Sequence, residues 1–294
     1  MLVIQMGDRV VVFGSGGQLG VELCREFRAR GYEVKGFERA DVDITDRTAV
    51  ERAIAEFNPE VVVNSAAYNQ VDVAESEPQA AFLVNGLAVR NLALAARQAD
   101  ARLVHFSTDY VFDGRAGRAY TEADRPHPLG AYAVSKLAGE LYAQAYLNDP
   151  LIIRTSGVFG PAGRHTNRGN FVELMLRLAA SSNPIRVVED HVASPTYAPA
   201  LAARTVELVS RKQGGLFHIG GGAPISWYDF ASKIFKAAGL NPQLRPTNER
   251  EYRTAATRPK YSALANSRLE QLGIAPMPPL DQAIQEYLKA TGRL

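Results

Sequence analysis

A glycine-rich turn directly follows the first apolar segment of the chain. Residues 9–13 form a nearly continuous apolar run, which is typical of a central parallel strand. Gly14, Gly17 and Gly20 then recur at every third position, and helical periodicity begins inside this motif. Glycine permits a tight turn and lets backbone amides approach a pyrophosphate at the N-terminus of the helix. The motif and its position therefore predict a dinucleotide-binding unit at the start of the fold.

Strand-like and helix-like segments alternate from this turn to about residue 160. Short apolar runs are separated by segments with helical periodicity, which is typical of βαβ units. The pattern predicts an α/β fold of the Rossmann type, a doubly wound parallel sheet. The predicted strands are 9–13, 32–37, 61–64, 102–106, 151–155 and 216–219, and the predicted helices are 18–30, 48–57, 78–99, 132–146 and 198–212.

The alternation breaks after Gly160. A polar, glycine-rich loop is followed by a helix at 171–180, a strand at 185–188 and, later, helices at 226–238 and 280–291. We therefore expect a smaller C-terminal α/β lobe that binds the substrate. The predicted division is a NAD(P)-binding domain of residues 1–163 plus 195–220, and a discontinuous lobe of residues 164–194 plus 221–294.

The composition is that of an ordinary globular protein. Of 294 residues, 46% are hydrophobic and 22% charged, and the net charge of +2 is scattered along the chain. This balance offers no electrostatic reason to expect nucleic acid or an anionic membrane as a partner. The single cysteine, Cys24, excludes an internal disulfide and lies in an amphipathic helical pattern, so we expect a buried thiol.

No membrane segment is expected from the sequence. There is no continuous run of about 18 apolar residues. Residues 1–6 are apolar but too short for a signal peptide, and they lack a basic leader. These observations predict a cytoplasmic protein.

Thr108, Tyr132 and Lys136 are residue types that together can deliver a proton. On a helix, Tyr132 and Lys136 share one face about one turn apart. A nearby ammonium stabilises a phenolate, so Lys136 is predicted to lower the pKa of Tyr132 and make it an acid near neutral pH. The Thr108 hydroxyl could hold the oxygen that receives the proton. These three residues are the predicted catalytic group.

The end of the second predicted strand should lie near the ribose of a bound dinucleotide. Glu38 could pair with the ribose hydroxyls of NAD(H), while Arg39 could meet the 2′-phosphate of NADP(H). We favour NADP(H), and NAD(H) remains an alternative. Asp43 and Ile44 are predicted to flank the adenine.

These segments resemble the extended short-chain dehydrogenase/reductase superfamily and, within it, the dTDP-4-dehydrorhamnose reductase family. The resemblance covers nearly the whole chain, and the Ser-Thr-Asp-Tyr-Val-Phe run at 107–112 is specific to this branch. The other matching motifs are the Gly14 loop with Gln18, Leu19 and Gly20, the run 63–68 with Val71, Asp72, Ala74 and Glu75, the pair Tyr132 and Lys136, and the runs 154–156, 170–171 and 194–196.

The resemblance implies reduction of the C4 ketone of a dTDP-linked 6-deoxy-4-ketohexose by a nicotinamide hydride. Tyr132 would protonate the ketone oxygen, Lys136 would hold the nicotinamide ribose, and Thr108 would bind the developing oxyanion. A homodimer and Mg²⁺ at its interface are implied by the resemblance alone. The implied cofactor contacts are Gly14, Gly17, Gln18, Leu19, Gly20, Ala66, Ala67, Tyr68 and Asn85, and the implied sugar contacts are Thr108, Asp109, Gly157 and Asn170.

Two positions depart from the family pattern. Gly157 stands where the family carries a tryptophan of the sugar pocket, which leaves the identity of the hexose open. Asn69 stands where threonine is frequent, at the cofactor edge. The loop 163–169 is basic, and it could either meet a diphosphate or be a solvated loop.

Other functions were weighed against reduction. A 4,6-dehydratase would carry an acid at the position of Tyr110, which argues against dehydration. A 4-epimerase with tightly bound NAD remains an alternative, as does a non-catalytic subunit like the regulatory beta subunit of methionine adenosyltransferase. His105 lies in an apolar run and is predicted to be a core residue, and the histidine spacing suggests no metal site.

Overall fold

The computed structural model describes residues 8–165, 169–181 and 183–294. Six parallel strands form the main sheet in the order β2-β1-β3-β4-β5-β8, so the chain reverses its winding direction at β1. The predicted Rossmann-type sheet is therefore confirmed. The strands are β1 Arg9–Phe13, β2 Glu33–Phe37, β3 Val61–Asn64, β4 Arg102–Thr108, β5 Leu151–Thr155 and β8 Gly215–His218.

Helices cover both faces of this sheet. The side chains of β1 alternate between the two faces, so each face carries apolar side chains that a layer of helices covers. Val10 and Val12 pack in the cluster containing Leu23 and Leu201, while Val11 packs in the opposite cluster. The helices are α1 Gln18–Ala29, α2 Arg47–Phe57, α3 Val73–Ser76, α4 Pro78–Phe82, α5 Ala88–Gln98, α6 Ala131–Tyr146, α7 Phe171–Ala179, α8 Ala198–Ser210, α9 Trp227–Ala237, α10 Ser267–Gln271 and α11 Leu280–Ala290.

The helix predicted at 78–99 is interrupted by a π-helical turn. α4 and α5 are joined by five residues, Leu83–Leu87, with this wider winding. The continuous segment Pro78–Gln98 has a mean hydropathy of 1.2 in its most apolar window, and it is long and apolar enough to cross a membrane by length and composition. However, 61% of that window is buried inside the protein. Most of this window therefore packs in the core, while Leu83 and Leu87 remain exposed at the surface.

A smaller set of elements packs beside the main sheet. β6 Ile185–Val188 pairs in parallel with β10 Leu244–Thr247, and β7 Val192–Ala193 pairs antiparallel with β9 Ile225–Ser226. Of these four strands, the sequence predicted β6 alone, because β7 and β9 are too short to show a periodicity and β10 contains a proline. A third apolar cluster joins these strands to α7, α9 and α11.

The C-terminal segment contributes to more than one core. Leu269, Ile274 and Met277 pack in the cluster under the main sheet, beside side chains of α8. Ile284 and Tyr287 instead pack in the third cluster. The chain after residue 221 therefore bridges the main sheet and the smaller set of elements.

Phe230 tests the contribution of the third cluster to stability. Its side chain is 0% exposed and packs with the rings of Phe159, Phe171 and Trp227. We expect Phe230→Ala to lower the free energy of unfolding by about 3–5 kcal/mol, because it leaves a cavity in a packed core. Urea denaturation followed by circular dichroism measures this loss.

Tyr252 provides the matched aromatic control in the same part of the chain. Its side chain is 59% exposed. Tyr252→Ala should change the free energy of unfolding by no more than about 0.5 kcal/mol. Equal losses in the two variants would contradict the importance of the third cluster.

Candidate active site

The glycine turn after β1 has the geometry of a pyrophosphate cradle. Gly14 has a φ of 78° and donates its amide to the Phe37 carbonyl at 2.9 Å. A Cβ on Gly14 would lie 2.6 Å from the Ala66 amide, so a side chain there would block the turn. Gly17 is the N-cap residue of α1 and has no side chain to cap it. The first amides of α1 are therefore available to an anion.

A cavity of about 480 Å³ extends from this turn to the end of β2. The carboxylate of Glu38 lies over Gly16, within 2.7 Å of where a Cβ would stand. Arg39 is largely exposed and pairs with Asp43 at 3.3 Å. The residues lining the cavity include Gly14, Gly16, Gly17, Glu38, Arg39, Val42, Asp43, Ile44, Ala66, Ala67 and Tyr68.

Asn85 holds the segment after β3 in place. Its side chain accepts from the Tyr68 amide at 2.8 Å and donates to the Tyr68 carbonyl at 3.0 Å. It also contacts the Ser135 hydroxyl at 3.0 Å, which ties the π-helical turn to α6. Asn85 was predicted to lie near the cofactor. Its contacts show that it supports the backbone of Tyr68, which lines the cavity. π-Helical turns often occur at functional sites.

Thr108, Tyr132 and Lys136 meet in a second cavity of about 570 Å³. Thr108 ends β4, and its hydroxyl lies beside the phenol of Tyr132, from the first turn of α6. Lys136 follows one turn later on the same helix. This cavity and the cavity at the end of β2 together form one groove. They share five lining residues, Gly17, Ser65, Ala66, Ala67 and Asn69.

The pKa of Tyr132 is raised in the structure, whereas the sequence predicted that it would be lowered. Burial raises the pKa of Tyr132 above its ordinary value, and the hydrogen bond with Thr108 offsets only part of this rise. The nearby groups Asp109 and Tyr110 raise it further. The cause is that enclosure of the phenol disfavours its charged form more than its neighbours favour it.

The ammonium of Lys136 is held by a backbone acceptor. Its Nζ donates to the Phe106 carbonyl at 2.6 Å, and the residue is buried. Burial lowers the pKa of Lys136 to about 8, while the charge of Glu140 opposes this effect. Lys136 therefore remains mostly protonated at neutral pH.

A buried ion pair lies behind Lys136. Arg154 donates to both oxygens of Glu140, at 2.9 and 2.7 Å, and each side chain is 3% exposed. The Ser107 hydroxyl donates to the same carboxylate at 2.5 Å. Sequence analysis missed this pair because Glu140 lies on α6 and Arg154 on β5. Removing either partner would strand a buried charge.

Asp109 is buried at the edge of the cavity and accepts three hydroxyl hydrogen bonds. They come from Ser262 at 2.5 Å, Ser156 at 2.8 Å and Thr108 at 3.2 Å. Burial nevertheless raises the pKa of Asp109 to about 6. Ser262 belongs to the C-terminal segment, so its contact could not be predicted from local sequence.

Trp227 lies beside Gly157. Gly157 lines the larger cavity with a φ of 50°, and a Cβ there would lie 3.1 Å from the edge of the Trp227 ring. Any side chain at this position would be strained and crowded. The indole of Trp227 therefore occupies the space toward which a residue 157 side chain would project.

Asn170 supports the loop next to the cavity. It caps α7 by accepting from the Glu173 amide at 3.0 Å, and its amide donates to Gln18 at 3.3 Å and to the Gly160 carbonyl at 3.2 Å. It was predicted to contact the sugar, and these contacts place it behind Gln18. Of the basic loop 163–169, residues 166–168 lie outside the described part of the structure.

The family-model comparison matches the RmlD substrate binding domain over residues 8–293. The chain belongs to this family. The spore coat polysaccharide biosynthesis protein SpsK of Bacillus subtilis is 39% identical over 281 residues, which cover 96% of this chain and 97% of that protein. The dTDP-4-dehydrorhamnose reductase of Mycolicibacterium smegmatis is 37% identical over 289 residues, covering 97% of this chain and 86% of that protein.

A solved structure of another family member has the same fold. The dTDP-4-dehydrorhamnose reductase of Bacillus anthracis, in complex with NADP, superposes with a TM-score of 0.92 at 34% identity. The match covers 97% of this chain and 99% of that one. The family resemblance stated from the motifs is therefore confirmed.

Two predictions from the sequence about single residues of this chain are confirmed by its own structure. His105 is 0% exposed, and its Nδ1 lies 3.2 Å from the Asn64 amide nitrogen, so it is a core histidine. Cys24 is a buried thiol. The cavity is also lined by residues that sequence analysis did not single out, namely Ser65, Phe106, Ser107, Thr155, Val158 and Gly169.

One group of potential metal ligands lies outside this groove. Asp190, His191 and Glu249 offer ligand atoms within 4.8 Å of one another. The ammonium of Lys260 already pairs with Glu249 at 3.2 Å and with Asp190 at 3.6 Å. The single positive charge of Lys260 is therefore shared by the two carboxylates of this group and offsets one of their two negative charges.

Asp109→Asn should remove a pH dependence from the stability of the protein. The pKa of Asp109 is raised from 3.8, its ordinary value, to about 6 in the folded protein. Its contribution to stability is therefore fully present below pH 3.8 and is lost as the pH rises through about 6. We expect the wild type, relative to Asp109→Asn, to lose roughly 2 kcal/mol of unfolding free energy between about pH 4 and about pH 7. Urea denaturation across this range checks it, and a constant difference would contradict it.

Proposed function

We propose that this protein uses NADPH to reduce the C4 ketone of a nucleotide-linked 6-deoxy-4-ketohexose, with dTDP-4-dehydrorhamnose as its substrate. One observation carries the proposal. Thr108, Tyr132 and Lys136 line the same cavity as Gly17 and Ala66 of the cofactor groove. A hydride donor and a proton donor can therefore reach one carbonyl group.

The relatives support this choice of substrate and cofactor. The Mycolicibacterium smegmatis and Bacillus anthracis proteins are both dTDP-4-dehydrorhamnose reductases, and the second was solved with NADP. SpsK acts in the biosynthesis of spore coat polysaccharide, according to its name. Together they support a role for this chain in nucleotide-sugar metabolism.

The groove fits a nicotinamide dinucleotide by the shape of its glycine turn. Gly14 and Gly17 would cradle the pyrophosphate at the N-terminus of α1, with Gln18 and Leu19 beside it. Ala66 and Ala67 would form the wall between adenosine and nicotinamide. When bound, NADPH supplies the hydride for C4.

The protein groups then handle the charge that develops on the ketone oxygen. Tyr132 gives its hydroxyl proton to this oxygen, and Thr108 hydrogen-bonds the same oxygen from the neighbouring strand end. Lys136 is charged at neutral pH and would hold the nicotinamide ribose. Its Nζ already has one acceptor, the Phe106 carbonyl, which leaves two N–H groups for the ribose hydroxyls.

The residues around Gly157 would meet the sugar. Asp109 faces the cavity, and Gly157 lines it with Trp227 behind. We propose that residues 1–163 plus 195–220 bind the cofactor and residues 164–194 plus 221–294 form the substrate lobe. The apolar cluster of α7, α9 and α11 supports the substrate lobe, while Leu269, Ile274 and Met277 of the same range pack under the main sheet.

We also propose a cytoplasmic homodimer. An apolar surface groove of about 550 Å³, lined by Leu83, Leu87 and Val134 among others, would suit a second copy of the chain. A cytoplasmic location agrees with the use of NADPH and nucleotide sugars. Mg²⁺ at a dimer interface stays a prediction from the family resemblance.

Tyr132→Phe tests the proton donor. Removing the hydroxyl should lower kcat by about 10²–10⁴-fold, because general acid catalysis contributes that much, while NADPH still binds. Turnover is followed by nicotinamide absorbance with dTDP-4-dehydrorhamnose as substrate, and NADPH binding by fluorescence. Tyr142→Phe, on the same helix, is the control and should keep wild-type turnover. A Tyr132→Phe variant near the wild-type rate would show that another group donates the proton.

The same assay separates the proposed function from its alternatives. A 4-epimerase would retain NAD and interconvert sugars without net consumption of NADPH. A regulatory subunit would bind NADPH but consume none with any 4-keto-6-deoxy nucleotide sugar. Either result would overturn the reductase proposal.

Arg39→Ser tests the preference for NADPH. Loss of the guanidinium should raise the KM for NADPH by about 10-fold, because a charged hydrogen bond to the 2′-phosphate is lost, and leave the KM for NADH within about twofold. Arg47 is the matched control, because it is exposed and pairs with Glu51 four residues later, as Arg39 does with Asp43. Arg47→Ser should change neither constant. Equal effects of Arg39→Ser on NADPH and NADH would contradict the assignment.

A further inference from the structure

Tyr110 contacts the proposed proton donor but has no part in the mechanism above. It follows Asp109 at the end of β4, and its ring stands edge-on to the ring of Tyr132. The ring centroids are 6.2 Å apart and the planes are at 90°. Such edge-to-face pairs are a favourable aromatic arrangement. The orientation of Tyr110 therefore bears directly on the side chain of Tyr132.

Arg258 holds the other end of Tyr110. The guanidinium lies next to the Tyr110 hydroxyl, and its charge favours ionisation of this phenol, although burial raises the pKa of Tyr110 overall. It also donates to both carboxylate oxygens of Asp72, at 3.0 and 2.7 Å, and to the Thr254 hydroxyl at 2.6 Å. A bidentate pair of this kind fixes the plane of the guanidinium. Arg258 thus offers Tyr110 a donor in a defined position.

The same C-terminal segment makes a second contact with the end of β4. Ser262 donates to the carboxylate of Asp109 at 2.5 Å. Asp109 in turn accepts from the Thr108 hydroxyl at 3.2 Å. Residues 254–262 therefore lie against the two consecutive residues after β4, Asp109 and Tyr110, which contact Thr108 and Tyr132.

We propose that Arg258, acting through the hydroxyl of Tyr110, positions Tyr132 for proton transfer. This inference rests on the proposed reductase function. Arg258 and Tyr110 are positioning residues, since neither lines the cavity among the described residues. Their effect is on alignment, and small misplacements of a reacting group can lower a rate up to about 100-fold.

The test uses Tyr110→Phe, Arg258→Met and the double variant, in the full chain. Each single variant should lower kcat for dTDP-4-dehydrorhamnose by about 10-fold and leave the KM for NADPH within about twofold. The kcat of the double variant should be no lower than that of the more affected single variant. Both substitutions remove the same contact, the one between Arg258 and the Tyr110 hydroxyl. Wild-type kcat in Tyr110→Phe, or losses that multiply in the double variant, would overturn the proposal.

Arg204→Met is the matched control. Arg204 is 21% exposed in its side chain, against 22% for Arg258, and donates to the Ala275 and Pro276 carbonyls. It also ties down the C-terminal segment, but away from the groove. Its kcat should stay at the wild-type value. A loss of kcat equal to that of Arg258→Met would show that the effect is general loosening of this segment.

A second readout does not depend on turnover. In protein labelled with ¹³C at the tyrosine ζ carbon, the Tyr132 signal is assigned by its absence in Tyr132→Phe. This signal should shift in Tyr110→Phe and Arg258→Met and stay unchanged in Arg204→Met. If the wild type reduces no 4-ketohexose, the reductase function fails, while the NMR signal still decides the positioning role. An unchanged Tyr132 signal would overturn that role whatever the activity.

Discussion

The parallel register of four neighbouring strands brings the groups of the site together. Phe13 of β1 pairs with Asn64 of β3, and Thr108 of β4 pairs with Thr155 of β5. Because parallel strands all end at the same edge, the loops that follow them line one crevice. The glycine turn, the Ala66 wall and the Thr108 hydroxyl therefore converge although they lie far apart in sequence. A shift of one residue in any pair would turn these side chains to the other face of the sheet.

Burial governs the electrostatics behind this crevice. Lys136 and Asp109 each lie in surroundings that disfavour charge, and their pKa values move toward neutrality from opposite sides. The ion pair of Glu140 and Arg154 lies next to Lys136, and the negative charge of Glu140 favours the charged form of Lys136. The crevice therefore contains ionisable groups held near their titration points, which is common in active sites.

The predictions from sequence succeeded where a pattern is local. The strands and helices of the main sheet show clear periodicity, and the glycine motif requires a turn wherever it follows a buried strand. Thr108, Tyr132 and Lys136 were named from residue type and spacing, and they do meet in one cavity. The net pKa shift of Tyr132 was predicted with the wrong sign, because spacing shows which groups are near but not how far the phenol is enclosed.

Contacts between distant segments were beyond the sequence. The π-helical turn that presents Asn85, the placement of Trp227 beside Gly157 and the bond from Ser262 to Asp109 each depend on the packing of separate elements. The sequence by itself determined the sheet, the glycine turn and the chemical identity of the reactive groups, since these follow from local periodicity and residue chemistry. The tertiary structure alone decided how deeply those groups are buried and which distant side chains hold them, because burial and long-range hydrogen bonds are properties of the folded chain.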